Sequence, residues 1–157
     1  VWSNSLRVLK RDMEYQFDEI SYYRLTEWQK KRVVETAKNL LEVDERVKLA
    51  YIFGGFTRRS SIRDVDIAVY AVPPFSFGEL LSLNAKMELK LGLPVDLVQL
   101  QDLDPVFRLK ILRYGLSILV GDGQLYHSLL AQAFSESWDL DVCRKDASRF
   151  VNSSLRR

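Results

Sequence analysis

The sequence predicts an α+β fold: a small mixed sheet of about four strands flanked by helices, with helical extensions at both ends. Three observations carry that expectation. Four short apolar runs, "VKLAYIF", "DVDIAVY", "PVDLVQL" and "LSILVG", are rich in strand-forming residues and bounded by Gly, Pro or Asp. Segments around them place apolar residues at helical spacing. Two of those segments open on capping-box signatures, T-x-x-Q at Thr26 and S-x-x-E at Ser76.

In chain order, Leu6, Leu9, Met13, Phe17 and Ile20 recur at helical spacing, which predicts an amphipathic helix over about 5–20. Thr26 and Gln29 open a second helix whose inward stripe is Val33, Ala37, Leu40 and Leu41. Residues 47–53 form a strand ending at Gly54-Gly55, and "DVDIAVY" returns antiparallel to it across the loop. Ser76 and Glu79 cap a helix that Gly92 terminates, and residues 94–100 make a third strand. Asp104-Pro105 is an N-cap and first helical position, with Gly115 as the stop before a short fourth strand. Tyr126, Leu130, Phe134, Trp138 and Val142 then repeat every four residues along a long closing helix. No repeat or low-complexity tract divides the chain. It is read as a helical extension over 1–24, a core over 25–123 and a C-terminal helix and tail over 124–157.

Composition narrows the function classes. A chain of 157 residues, 47% hydrophobic and 28% charged, has the profile of one ordinary globular domain. Its net charge of +2 makes no electrostatic case for nucleic acid, and no apolar run approaches the ~20 residues of a membrane span. Cys143 is the only cysteine, so no internal disulfide forms, and a reducing, cytoplasmic location is expected. His127 is the only histidine and lies on a helical stretch, where a solvated or packing role is expected. One His and one Cys cannot build a zinc site, and no G-x-S-x-G elbow appears. Any metal chemistry falls to carboxylates.

Those carboxylates sit where a plain core strand should avoid them. Asp64 and Asp66 are one residue apart at the start of an apolar run, so strand alternation points both to one face. Asp96 lies inside the next strand, opposite Val95 and Leu97. Like charges held side by side raise each other's pKa unless a cation sits among them. Hard divalent ions, chiefly Mg²⁺, are the natural partners of such oxygens. Upstream, Gly54-Gly55 allows a sharp turn and close approach to bare backbone N–H groups. Thr57, Arg58, Arg59, Ser60 and Ser61 follow it as donors suited to phosphate oxygens. Each element alone is weak: D-x-D can be an exposed strand edge, Gly-Gly a turn and the arginines a solvated loop. Their order is the signal.

That order resembles the DNA polymerase beta-like nucleotidyltransferase superfamily, and within it the minimal, antitoxin-type nucleotidyltransferases. The resemblance covers roughly residues 26–140 and rests on Gly54-Gly55, Asp64-Val65-Asp66 and Asp96. It implies a nucleotidyltransferase-like fold and transfer of a nucleoside monophosphate from ATP or another NTP to a hydroxyl, with pyrophosphate released. Asp64, Asp66 and Asp96 are implied as catalytic residues and ligands of Mg²⁺, two ions in all. Gly54, Gly55, Thr57 and Arg58 are implied as nucleotide-binding. A HEPN-domain toxin is the implied partner, its tyrosine the implied acceptor, with a homo-oligomer as a further expectation. The family's serine position holds Gly55, the loop from Gly55 to Asp64 contains eight residues, about two fewer than usual, and Arg59 stands where the family has Gly. Two other readings stand beside this one: a fold that only binds and masks its partner, and a small-molecule or RNA nucleotidyltransferase. The Trp-bearing final helix is a candidate docking surface, against the plainer reading that its stripe covers the protein's own sheet.

Overall fold

Thr26 begins the first helix among the described residues, as its T-x-x-Q signature requires. Its hydroxyl accepts the Gln29 N–H at 3.2 Å, and the Gln29 side chain accepts the Thr26 N–H at 2.8 Å. The computed structural model describes residues 21–154, so the helix expected over 5–20 lies outside the described residues. Helix α1 (Glu27–Leu41) buries Val33, Ala37 and Leu41. Strand β1 (Tyr23–Arg24) precedes it and pairs antiparallel with β3 (Ser61–Ile62). This two-residue pairing was not expected, because elements so short carry no periodicity. It ties down the basic loop, with the Leu25 N–H donating to the Ser60 carbonyl at 3.1 Å.

The main sheet is formed by β2 (Val47–Phe53), β4 (Val65–Ala71), β5 (Val95–Gln99) and β6 (Leu116–Val120), in the order β5-β4-β2-β6. β2 runs antiparallel to both neighbours, and β4 and β5 are parallel, so the sheet is mixed as expected. The parallel step requires a crossover, supplied by α2 (Phe77–Leu91). Ser76 and Glu79 cap α2, and Gly92 ends it with a left-handed φ of 66°. α2 also protects the sheet edge: Asn84 Oδ1 accepts the Leu97 N–H at 3.0 Å and Glu88 Oε1 that of Val95 at 3.1 Å. Bare edge groups would otherwise invite strand pairing.

Alternation divides the sheet into two faces. Ile52, Ile67, Val69, Val95 and Leu97 pack with α1 and α2. Leu49, Tyr51 and Ala68 pack with α3 (Pro105–Tyr114) and α4 (Gly123–Ser154) through Ile111, Leu112, Leu129 and Ala133. Asp66 therefore shares the face of Ala68, and Asp96 that of Val98. Arg108, with its side chain only 12% exposed, fastens the second layer. It donates to the carbonyls of Leu100 and Leu103 at 3.0 and 2.9 Å and pairs with Glu136 of α4 at 3.3 Å.

The closing helix covers the sheet with only part of its stripe, and its far end exposes Trp138 as the length of the helix leads one to expect. Among its residues whose side chains are described, Leu129 and Ala133 are buried, Tyr126 and Leu130 are partly buried, and Phe134 and Trp138 are exposed, while the Val142 side chain lies outside the described residues. A four-residue spacing advances about 400° per step, so the stripe drifts ~40° off the inward face each time. Three steps beyond Tyr126, Trp138 has turned away from the core. His127 is exposed, its ring 5.2 Å from that of Tyr126. No helix among the described residues is long and apolar enough to cross a membrane.

Candidate active site

The parallel register of β4 and β5 sets Asp66 directly opposite Asp96, and on the other side β2 sets Phe53 opposite Asp66. One row across the sheet thus reads Asp96, Asp66, Phe53. Asp64 lies two residues before Asp66, just outside β4. The sequence motif has become a cluster of three acids in electrostatic contact.

Its consequence is concentrated on Asp66. Partial burial, then the charges of Asp64 and Asp96, push the Asp66 carboxyl up from 3.8 to about 6. Arg63 and the Gly55 backbone N–H pull the other way, less strongly. Asp64 already has a cation, since Arg63 Nε donates to its carboxylate at 3.0 Å. Asp96 is exposed on the edge strand.

The turn beside the acids explains both glycines differently. After β2 the chain makes one 3₁₀ turn, Gly54–Thr57, closed by Thr57 Oγ1 donating to the Gly54 carbonyl at 3.2 Å. Gly54 has φ 70°, and a Cβ on it would sit 2.0 Å from Asp66 Oδ2. Only glycine fits between this turn and that carboxylate. Gly55 has no positive φ, and a Cβ there would meet nothing within 4 Å. The serine of the family pattern therefore fits at this position. Gly55→Ser is expected to change the melting temperature by under about 2 °C, equivalent to less than ~0.5 kcal/mol for a surface substitution, in differential scanning fluorimetry.

Gly54, Gly55, Thr57, Arg58 and Asp64 line one open cleft of about 480 Å³. Asp66 and Asp96 do not line it; they flank it on the sheet, joined to it through the Asp66–Gly54 contact. The cleft has a basic wall of Arg58, Arg59 and Arg63 from the loop, opposite Phe107, Lys110, Ile111 and Tyr114 from α3. The α3 wall was missed in the sequence. Its signal was present, because 107, 110, 111 and 114 follow the i, i+3, i+4, i+7 spacing of one helix face. Tyr22, from the segment leading into β1, closes the rim.

Three carboxylates beside a bare-backbone turn and four cations are the donor chemistry of a hard divalent ion and a polyphosphate. The residues fit such an ion in kind and in neighbourhood. They are not pre-gathered: among the described residues, no three His, Cys, Asp or Glu already form a ligand cluster, and Asp64 is turned to Arg63.

Comparison with known proteins agrees with this geometry. The family described as "Polymerase beta, Nucleotidyltransferase" matches residues 35–124, which contain the turn and all three acids. No curated protein matches the sequence. Among solved structures, a chain of a toxin–antitoxin with AMP-PNP aligns with TM-score 0.66 at 24% identity, over 75% of this chain and 97% of that one. A tri-AMPylated Shewanella oneidensis HEPN toxin in complex with MNT antitoxin gives TM-score 0.65 at 23% identity, over 78% and 98%. The toxin–antitoxin MntA-HepT gives 0.61 at 22% identity, over 80% and 98%. At these identities the likeness is one of fold. With the family match spanning more than half of its length, the chain belongs to the polymerase beta nucleotidyltransferase family.

Proposed function

We propose that the protein is a nucleotidyltransferase that moves AMP from ATP onto a hydroxyl of a partner protein, in the cytoplasm, as the antitoxin of a HEPN toxin. The observation that carries the reading is the register of Asp66 and Asp96, with Asp64 two residues away, beside the Gly54-Gly55 turn. The AMPylated HEPN toxin in the S. oneidensis complex supports the choice of acceptor.

In this reading the cleft holds the triphosphate. Arg58, Arg59 and Lys110 neutralise its oxygens, and the turn offers Gly55 and its neighbours as close-approach backbone. Asp64, Asp66 and Asp96 would hold Mg²⁺, two ions, which when bound would neutralise phosphate charge and acidify the acceptor hydroxyl. The acceptor oxygen attacks the α-phosphorus, the bond to the β-phosphate's bridging oxygen breaks, and pyrophosphate leaves. Asp96, exposed at the sheet edge, is placed to take the hydroxyl proton. Phe107 and Tyr114 of α3, with Tyr22, give the cleft an aromatic side.

A second reading, in which the fold only binds and masks its partner, draws support from Gly55 at the serine position. Incubation with α-phosphate-labelled ATP, Mg²⁺ and a HEPN partner separates them. Transfer predicts label on the partner, lost with chelator and reduced at least ~100-fold by Asp96→Asn. Partner binding without label would establish the masking reading instead.

A further inference from the structure

Of the four cations that line the cleft, Arg63 is the one that an acid already holds among the described residues. Its Nε and Nη2 each lie 3.0 Å from Asp64 Oδ2, a two-nitrogen grip on one carboxylate oxygen. The pair occupies the two-residue link between β3 and β4, and buried Ile62 and Val65 anchor that link on either side. The Arg63 side chain itself is 62% exposed. It can swing away from Asp64 without moving the backbone or uncovering the core.

This geometry makes Arg63 the protein's own counter-ion among the acids. Asp64, by hydrogen bond and then by charge, raises the guanidinium pKa above its already high value, and Asp66 adds a smaller pull. Arg63 in turn draws the Asp66 carboxyl down, against burial and its acidic neighbours. A guanidinium and a divalent cation repel each other at one carboxylate oxygen, so Arg63 competes for Asp64 with any cation the acids take. Once released it remains in the cleft beside Gly54, Gly55 and Arg58, where triphosphate oxygens suit its planar fork. An exchange of this kind links two ligands, each improving the other's affinity by the same factor.

We propose that Arg63 is a positioning residue that holds Asp64 until the cation site fills and then passes to the triphosphate, so that divalent cation and nucleotide bind cooperatively. The proposal rests on the reading of Asp64 as a metal ligand and of the cleft as the triphosphate site. Titration of Mn²⁺ into the full chain tests it, with the free ion followed by electron paramagnetic resonance, in the absence and presence of AMP-PNP. Without nucleotide, Arg63→Gln is expected to bind Mn²⁺ about 3–5-fold tighter than the wild type, the scale of an exposed ion pair. AMP-PNP is expected to tighten Mn²⁺ binding to the wild type, and to do so less for Arg63→Gln. Arg63→Lys keeps the charge without the fork, and is expected to fall between the two in both measurements. All variants are first shown to be folded by circular dichroism. Arg63→Gln matching the wild type with and without AMP-PNP would overturn the proposal, as would weaker Mn²⁺ binding by Arg63→Gln in the absence of nucleotide. Asp64→Asn separates this failure from that of the underlying reading. If it binds Mn²⁺ as the wild type does, Asp64 is no metal ligand and both fall; if it loses Mn²⁺ while Arg63→Gln is unchanged, the exchange alone is wrong.

Discussion

Gly54→Ala is expected to abolish transfer and to lower stability by about 1–3 kcal/mol. Two costs combine. The backbone φ of 70° disfavours any side chain by roughly 1 kcal/mol. The new Cβ would also fall 2.0 Å from Asp66 Oδ2 and 2.9 Å from its Cγ, so the carboxylate must swing out. That movement takes Asp66 from the Gly55 N–H and from the row it forms with Asp96. A loss of at least ~100-fold in kcat is expected, because a misplaced group near the reaction costs that much. A double-mutant cycle isolates the cause. In an Asp66→Ala background, Gly54→Ala should cost only the backbone penalty, and equal costs in both backgrounds would show that the contact is immaterial.

Asp66→Asn is expected to stabilise the metal-free protein while eliminating activity. The Asp66 carboxyl is raised from 3.8 to about 6 on folding, so between these values the folded state binds more protons than the unfolded. Stability from this group is therefore fully present below pH 3.8 and is lost as pH rises through 6. The shift corresponds to ~3 kcal/mol in full. The carboxylate is only about half buried, so solvent screening reduces this to about 1–2 kcal/mol. Asp44 is held below its usual range by Arg46, and Glu79 by Ser76 and then Arg46; both act in the opposite direction, so the comparison is between variant and wild type at each pH. Urea titrations should find the two chains equally stable near pH 3.5 and Asp66→Asn ahead by pH 7. Adding Mg²⁺ with ATP at pH 7 should stabilise the wild type and leave the variant unmoved. A variant less stable than wild type at pH 7 would show that Asp66 serves the fold.

The sequence made the elements legible where local chemistry decides them. Both capping boxes, the Asp104-Pro105 start and the Gly92 stop act within one turn of helix and were placed to within a residue or two. The identity of the three acids was legible for the same reason: a charge inside an apolar strand is a local contradiction. Their register was not, because setting Asp66 opposite Asp96 depends on a crossover through α2 that no short window contains. The α3 wall of the cleft was hidden by composition, since Phe107 and Tyr114 read equally well as core. The two glycines could not be told apart until the turn showed Gly54 with positive φ and Gly55 without. Trp138 faces solvent because a four-residue stripe outruns the 3.6-residue helix.

Asp64, Asp66 and Asp96 are proposed to act as one nucleotide site. Calorimetric titration of ATP into the wild type, Asp64→Asn and Asp96→Asn, in Mg²⁺ and then in chelator, tests this most directly. Binding by the wild type is expected to weaken at least ~10-fold in chelator, a change of about 1.4 kcal/mol, and either substitution is expected to weaken it comparably in Mg²⁺. ATP binding of equal strength in chelator, unmoved by both substitutions, would contradict it.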